Sequence, residues 1–418
     1  MFLSMVEFVA QYNLRKTFIL IMSGIGCITS FAQPTTDFTV DSPVCLGQNL
    51  GIQNNSIDAT RYEWDFCIGD FEVEPVINSQ AMSGLNFGSG FELIEDNGLW
   101  YAFVVDRGSG TEVFRYDYGD SPLNDPVVTQ LELTPGIFIS PPEDISVINY
   151  NNQWHAVIAY SNSGGEVIRL DFGSELSNNS PIEVNLGNFG FADAIRYVQL
   201  IEESGNLILV LSPNTGTSLW RISYGDSFDN PIDIGTDIIK TSAPEADLTR
   251  LMGFDVKIIN EDYIVHCVTV NAAKIMRLNF GNSLLNTPIW EATYDFAGPT
   301  NSYDIELIRE GSNYYGYVTN PSSSPLVFDF GDLSSPVQPI QKTYTTTLPT
   351  NVALDLLRYE GQTYALGVNS KNYIRSVYYY DCSASQQIAI DENPNVYYDE
   401  PGDYMIALTA YDNNDNQA

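Results

Sequence analysis

The sequence predicts an all-β protein dominated by a six-bladed β-propeller, and three observations lead to that prediction. The chain has 31 Gly and 21 Pro in 418 residues, so turns are frequent. Hydrophobic residues make up 44%, which is enough for a large core and excludes a disordered chain. A repeat with a period of about 50 residues runs through the middle of the chain, and that period is typical of propeller blades of four strands.

The repeat is an alternating strand that ends in an aromatic residue and a glycine. It occurs five times, at Phe114–Gly119, Ile168–Gly173, Trp220–Gly225, Met276–Gly281 and Val327–Gly331. Each unit contains four strand patterns separated by turn residues; in the fifth unit these are Ile305–Ile308, Tyr314–Val318, Leu326–Phe330 and Val337–Tyr344. The glycine is expected to supply a positive φ at the turn after the third strand.

A sixth unit lacks its fourth strand. Its first three strands are predicted at Leu354–Leu357, Thr363–Val368 and Ile374–Tyr380. Residues 72–82 have the pattern of a fourth strand and precede the first unit. We therefore expect a 3+1 closure, in which 72–82 complete the sheet that holds 374–380 and no edge is left open at the seam.

The N-terminus has the features of a secretory signal peptide. Arg15-Lys16 is followed by an apolar run from Thr17 to Cys27 and by small residues before Gln33. This order predicts a signal peptide over 1–32, with cleavage after Ala32. A lipoprotein anchored at Cys27 is the alternative, although Gly24 stands where such a signal prefers an aliphatic residue. Both alternatives place the mature chain outside the inner membrane, secreted or at the cell surface, without a transmembrane segment.

The charge excludes two classes of partner. The formal net charge is −35, from 18 Lys+Arg against 53 Asp+Glu. Such a surface repels phosphate backbones and anionic lipids, so nucleic acid and a basic membrane-surface role are excluded. Solubility, cations and basic partners are favoured instead.

The flanks of the repeat region carry a resemblance to a known family. The first flank contains Tyr62-Glu-Trp64-Asp65-Phe66, and the second contains Asn393-Pro394, Pro401-Gly402 and an alternating stretch from Tyr404 to Ala410. Together they resemble the two halves of a PKD (polycystic kidney disease repeat) domain, which implies an immunoglobulin-like β-sandwich. The chain departs from the family pattern at Cys67–Asp70, where a glycine turn is expected. The predicted domains are 33–71 and 383–418 as sandwich halves, with the propeller over 72–382 between them.

The PKD resemblance implies extracellular contacts with protein or carbohydrate. The repeats are also similar to those of large exported proteins of gliding bacteria that carry a C-terminal sorting domain. No such domain is present in the sequence, so we expect that the chain is a fragment with further domains beyond residue 418. Adhesion or assembly of an envelope structure, linked to gliding motility, is the role that this resemblance implies.

The cysteines predict one disulfide. Cys67 leaves the first sandwich half and Cys382 returns to the second, so the two chain crossings should lie side by side. A Cys67–Cys382 bridge is the preferred one of three connectivities that four mature cysteines allow. Cys267 is expected to be a free core thiol, and Cys45 has no obvious partner.

Candidate site residues are few. Asp144, Asp255 and Asp304 recur before the first strand of their units, at one mouth of the expected central channel, where they could bind a calcium ion or a basic ligand. The alternative is that each Asp caps a turn by accepting a backbone N–H. The two histidines, His155 and His266, are expected in the core or at sheet interfaces. No contiguous catalytic motif is found.

The sequence therefore favours a non-catalytic binding or adhesion module that engages extracellular protein or carbohydrate. It predicts that the chain is not an enzyme and has no resident cofactor. One alternative is a propeller glycosidase or polysaccharide lyase with channel-mouth carboxylates as its catalytic pair. The other alternative is a structural spacer within a longer surface protein.

Overall fold

The structure is a computed structural model of the chain. It describes residues 34–412 apart from 42, 82–84, 109–111, 137–139, 161–164, 191–193, 215, 244–249, 271, 299, 349, 351, 370–371, 379–383 and 401–403. The predicted signal peptide over 1–32 lies outside the described residues.

Four short strands precede the repeats: β1 (Phe38–Thr39), β2 (Gln53–Asn54), β3 (Arg61–Asp65) and β4 (Val76–Ala81). Five four-stranded antiparallel sheets follow. Sheet 1 contains β5 (Gly88–Asp96), β6 (Leu99–Asp106), β7 (Glu112–Gly119) and β8 (Val127–Gln130); sheet 2 contains β9 (Pro142–Tyr150), β10 (Gln153–Tyr160), β11 (Val167–Gly173) and β12 (Ile182–Gly187). Sheet 3 contains β13 (Ile195–Glu203), β14 (Asn206–Pro213), β15 (Ser218–Gly225) and β16 (Ile238–Ser242). Sheet 4 contains β17 (Leu251–Ile259), β18 (Asp262–Thr269), β19 (Lys274–Asn279) and β20 (Ile289–Asp295). Sheet 5 contains β21 (Ile305–Glu310), β22 (Asn313–Val318), β23 (Leu326–Asp329) and β24 (Ile340–Lys342).

Sheet 6 combines strands from both ends of the repeat region. It contains β25 (Ala353–Tyr359), β26 (Gln362–Asn369) and β27 (Asn372–Tyr378), with β4 as its fourth strand. β4 is antiparallel to β27, with Val76 opposite Val377 and Asn78 opposite Arg375. The predicted pairing of residues 72–82 with the last repeat is thereby confirmed.

The first strands of the six sheets contact one another in order. β5 contacts β9, β9 contacts β13, β13 contacts β17, β17 contacts β21, β21 contacts β25, and β25 contacts β5. Residues between the sheets are largely apolar and fully buried, such as Val157 and Leu209 between sheets 2 and 3. The fold is therefore nearly all-β, with propeller-like packing of one sheet on the next.

The repeated glycine has the conformational role that the sequence predicts. Gly119, Gly173, Gly225, Gly281 and Gly331 have φ between 65° and 82°, a region that a Cβ disfavours. In the first four of these turns, an asparagine six residues beyond the preceding aromatic residue closes the turn. For example, Asn124 Nδ2 donates to Tyr118 O at 2.9 Å, and Asn230 Nδ2 donates to Tyr224 O at 2.8 Å.

An arginine in the third strand, buried in sheets 1, 3 and 4 and partly buried in sheet 6, ties each of these four sheets to the next. Its guanidinium donates to a backbone carbonyl in the turn of the following sheet, with donor–acceptor distances of 2.7–2.8 Å. The pairs are Arg115–Leu176, Arg221–Leu284, Arg277–Leu333 and Arg375–Leu123. In sheet 5, Val327 stands at this position. There Phe71 fills the seam instead, with its ring 4.3 Å from Tyr315 and 5.0 Å from Tyr378.

The two flanks of the repeat region form one small unit. β3 lies between β28 (Ile388–Ala389) and β29 (Ala407–Tyr411), so strands from before and after the repeats share a sheet. Trp64 is 1% exposed in the centre of this unit and donates its Nε1–H to Asp391 O at 2.9 Å. The alternating stretch predicted from Tyr404 becomes a strand only at Ala407.

Cys67 is disulfide-bonded, whereas Cys45 and Cys267 are free. Cys267 is fully buried, which confirms the prediction of a core thiol. Cys382 lies outside the described residues, so its pairing with Cys67 stays a prediction. Within the described part of the chain, no helix is long and apolar enough to cross a membrane.

Candidate functional site

Acidic side chains gather on the first strands of the sheets. They are Glu92 on β5, Asp144 on β9, Asp255 on β17, Glu306 on β21 and Asp355 on β25, together with Asp304 directly before β21. The first strands contact one another in order, which brings these side chains together, and Asp144, Asp255 and Asp355 all help to raise the pKa of Asp304. Asp144, Asp255 and Asp304, which the sequence singled out, thus belong to one group.

The sequence analysis missed Glu92 and Asp355 because it considered only aspartates that precede a predicted first strand. In the structure Asp144 and Asp255 also lie inside their first strands, and of the three predicted residues Asp304 alone precedes its strand. The first and sixth units also contribute carboxyl groups to this set. Two glycines on first strands, Gly90 and Gly253, could have indicated in the sequence that neighbouring first strands approach closely. A Cβ on Gly253 would lie 2.4 Å from Asp304 Cα, and one on Gly90 would lie 2.8 Å from Asp144 Cα.

Three of these carboxylates accept a backbone N–H from the next sheet. Asp144 Oδ2 accepts from Val198 N at 2.9 Å, and Asp255 Oδ2 accepts from Leu307 N at 2.7 Å. Asp355 Oδ2 accepts from Leu93 N at 2.6 Å. For Asp144 and Asp255 these bonds join neighbouring sheets, which the turn-cap alternative did not foresee. Asp304 accepts locally from Ile305 N at 2.9 Å, as that alternative expects, and the N–H of Ile145 also helps to lower the pKa of Asp144.

Five of these carboxyl groups have raised pKa values. Burial raises the pKa of Asp144 to about 7 and that of Asp355 to about 6, although backbone N–H donors oppose the rise. Burial and then neighbouring carboxylates raise the pKa values of Glu92, Asp304 and Glu306 well above the usual range. These groups therefore hold protons at a pH where exposed carboxyls are ionised.

Lys257 lies beside the set of acidic side chains on the first strands. Its Nζ lies 3.0 Å from Asp255 Oδ2. Burial lowers the pKa of Lys257, but the attraction of Asp255 and Glu306 outweighs burial and raises it overall. Among the described residues, no three His, Cys, Asp or Glu side chains are placed to hold a metal ion together, so the expectation of calcium gains no support.

An arginine network, which the sequence analysis missed, lies at the end of the axis where the first strands begin. Glu143 is 4% exposed, and its Oε2 makes two contacts with arginines. It accepts a hydrogen bond from Arg196 NH1 and lies 3.2 Å from Arg107 NH1. Arg196 Nε also donates to Asn214 Oδ1 at 2.7 Å, and Arg250 donates to the same oxygen. These residues come from five loops or strand ends with no common motif, so only the fold brings them together.

The arginine network and the set of acidic side chains on the first strands meet at this end of the axis, which we call the mouth. Asp144 follows Glu143 directly, and Tyr197 follows Arg196. The pKa of the Tyr197 hydroxyl is raised by burial and by Asp304 and Asp144, which places its ring near both carboxyls. The mouth thus combines carboxyl, phenol and guanidinium groups, a set that can hydrogen-bond to a polyhydroxylated ligand.

The histidines lie away from the mouth. His266 is fully buried, and burial lowers its pKa to about 3, which confirms a core position. His155 lies at the interface of sheets 2 and 3, with Nδ1 2.6 Å from Asp171 Oδ1 and its ring 5.0 Å from Phe228.

No family model matches the chain, and no curated protein matches it. The PKD resemblance is therefore not shown. Solved structures do match. A sialidase from Trypanosoma rangeli has a TM-score of 0.50 and 10% identity, over 73% of this chain and 60% of the sialidase. The six-bladed β-propeller lectin of Aleuria aurantia has a TM-score of 0.48 and 11% sequence identity, and the match covers 76% of this chain and 99% of the lectin. An α-L-arabinofuranosidase domain from Coprinopsis cinerea has a TM-score of 0.40 and 14% sequence identity, and the match covers 77% of this chain and 98% of that domain. The likeness to the sialidase supports a β-propeller fold.

The expectation that the chain is not an enzyme is contradicted, because the fold is shared with a sialidase, which is an enzyme. That expectation depended on the absence of a contiguous catalytic motif. Glycoside hydrolysis needs only two carboxyl groups at a suitable separation, and the fold can supply them from distant parts of a sequence.

Proposed function

We propose that the chain is an exported, extracellular protein whose six-bladed propeller, closed by β4, is inserted into a PKD-like sandwich. The pairing of β4 with β27 and the ordered contacts of the first strands, including β25 with β5, support the closed ring. The shared sheet of β3, β28 and β29 supports the insertion. In this architecture the domains are 33–71 with 383–418, and 72–382.

We propose further that the propeller binds a glycan at the mouth. The observation that carries this proposal is the convergence there of Asp144, Asp304, Tyr197 and the arginine network. Sugars are bound by planar polar side chains that donate to and accept from hydroxyl groups, beside aromatic rings. The PKD-like sandwich would hold the propeller at the cell surface or within a longer exported protein.

Hydrolysis of a glycosidic bond is the second candidate function, and a specific observation favours it. A glycosidase needs one carboxyl that is protonated near neutral pH as general acid and a second one as base or nucleophile. Asp304, whose pKa is raised well above the usual range by burial and by Asp144, would be the general acid, and Asp144, with a pKa of about 7, would be the base or nucleophile. These two residues would form the catalytic pair.

The test is a glycan array probed with the wild-type protein and with Asp304→Asn, followed by an assay of reducing ends released from each bound glycan. Asparagine keeps the local bond to Ile305 N, so the variant should fold. Asp125→Asn, in an exposed turn, is the matched control. We expect glycan binding that Asp304→Asn weakens at least about tenfold and the control leaves unchanged.

If hydrolysis occurs, Asp144→Asn and Asp304→Asn should each slow it by about 10²-fold or more, as loss of a general acid or base does. A wild-type protein that binds no glycan would contradict the proposal. Binding that Asp304→Asn leaves intact, in a variant that melts like wild type, would place the binding site elsewhere.

A further inference from the structure

The arginine network is unusual in so acidic a chain. Only 18 of the 418 residues are Lys or Arg, against 53 Asp and Glu. Three of these cations, Arg107, Arg196 and Arg250, nevertheless meet in one hydrogen-bonded network at the mouth. General solubility does not explain this grouping, because scattered surface charges provide solubility equally well.

The network has more positive than negative charge. Glu143 is the carboxylate that pairs with Arg107 and Arg196. Arg250 forms no ion pair among the described residues; it donates to the neutral amide oxygen of Asn214, which Arg196 also uses. Adjacent like charges repel, and both burial and Arg196 lower the pKa of Arg250 accordingly.

Two polar atoms of the network are also buried without a partner. Arg250 Nε and Glu143 Oε1 are both inaccessible to solvent and form no hydrogen bond. A buried N–H donor without an acceptor is costly in a folded protein. An acceptor that entered the mouth would satisfy Arg250 and reduce the repulsion between Arg196 and Arg250.

The network remains open on one side. The side chain of Arg107 is 25% exposed and that of Arg196 is 13% exposed. A guanidinium presents a planar fork of donors that matches a carboxylate or a sulfate group with two parallel hydrogen bonds. Two such forks beside a sugar-binding mouth select an oxyanion at a fixed place on the ligand.

We infer that Arg107, Arg196 and Arg250 form an anion subsite, which makes the ligand an acidic glycan whose carboxylate or sulfate binds to these guanidinium groups. The inference rests on the proposed glycan binding at the mouth. Asp144 and Tyr197 lie next to the network and would contact the uncharged part of the same sugar unit.

The experiment compares three arms of a glycan array: uronic-acid and other carboxylated glycans, sulfated glycans, and neutral glycans. The strongest carboxylated ligand is then measured by calorimetry beside its carboxyl-reduced form. Arg250→Gln removes the positive charge but keeps a donor, and Arg309→Gln at an exposed position is the control.

We expect wild type to prefer the charged form at least about tenfold. Arg250→Gln should lose most of that preference, so that its affinity for the charged form falls towards its affinity for the neutral form, and Arg309→Gln should behave as wild type. A preference for the sulfated arm with the same dependence on Arg250 would identify sulfate as the bound oxyanion. Because Arg250 adds to a repulsive group, we also expect that Arg250→Gln does not lower the melting temperature without ligand.

Equal binding of charged and neutral forms by wild type would overturn the anion subsite and leave glycan binding intact. Binding of no glycan in any arm would overturn both proposals. A large fall in the melting temperature of Arg250→Gln, with the charge preference retained, would assign Arg250 a structural role.

Discussion

At the residue scale, the buried arginine of the repeat shows how a charged side chain can hold neighbouring sheets together. Arg221 is fully buried, and its NH1 donates to the carbonyls of Leu284 and Asn286, both at 2.7 Å. Burial lowers its pKa to about 10, so it stays protonated at neutral pH. This arginine is visible in the sequence as part of the repeat. Its role could not be predicted, because its acceptors lie more than 60 residues further along the chain.

Arg221→Met should therefore destabilise the protein. Methionine fills much of the space but leaves two buried carbonyls without donors, at a cost of about 2–4 kcal/mol in the free energy of unfolding. Denaturation in urea measures the change, and Arg309→Met at an exposed position is the control. A loss below about 0.5 kcal/mol would show that the contact between sheets 3 and 4 does not depend on Arg221.

At the element scale, the first strands combine an architectural and a chemical role. Their carboxylates accept N–H groups from neighbouring strands, as Asp255 does from Leu307 and Asp355 does from Leu93. The pKa of Asp355 is also raised, to about 6, mainly by burial. Strand periodicity predicted these strands well, because alternation is a local property. It could not predict which side chains meet across the axis, because that depends on register between sheets.

These raised pKa values predict a pH dependence of stability. Asp144 has a pKa of about 7 when folded and about 3.8 as a free side chain, so the folded state binds more protons between these values. Stability should therefore fall as the pH rises from about 4 to 7, by up to about 1.4 kcal/mol per pH unit for each such group. Glu74, whose pKa is lowered to about 2 by the N–H groups of Thr345 and Thr346, acts in the opposite direction but only below about pH 4.5.

Melting temperatures between pH 4 and 7 measure this dependence. Asp144→Asn should flatten the profile, whereas Asp125→Asn should leave it unchanged. A wild-type protein whose stability rises through this window would show that the axial carboxyls are ionised and well solvated when folded.

At the scale of the whole molecule, the repeat made most of the fold predictable. Regular glycines indicated the units, and the missing fourth strand of the last unit indicated where residues 72–82 pair. The mouth could not be predicted in the same way. Glu143, Arg196 and Arg250 lie outside the repeated motif, and their contacts join three different sheets.

The junction of sandwich and propeller is the second feature at this scale. Arg358 of sheet 6 pairs with Asp65 of β3, and Glu310 accepts from Gly69 N at 2.8 Å. The predicted Cys67–Cys382 bridge would fasten the same junction and close a loop of roughly 315 residues, worth ~6 kcal/mol on the loop-closure argument. Peptide mapping without reduction should recover a Cys67–Cys382 pair, and Cys67→Ser should lower the melting temperature more than Cys45→Ser. A free Cys382 thiol would refute the bridge.

The central claim is that the mouth of the ring is where this chain binds its ligand. Hydrogen–deuterium exchange with and without the strongest glycan from the array tests it most directly. We predict slower exchange in peptides covering 142–146, 195–198, 250–255 and 302–306, where the strands that carry the mouth begin. Unchanged exchange there, with slower exchange in the sandwich strands β3 and β29 instead, would contradict the account.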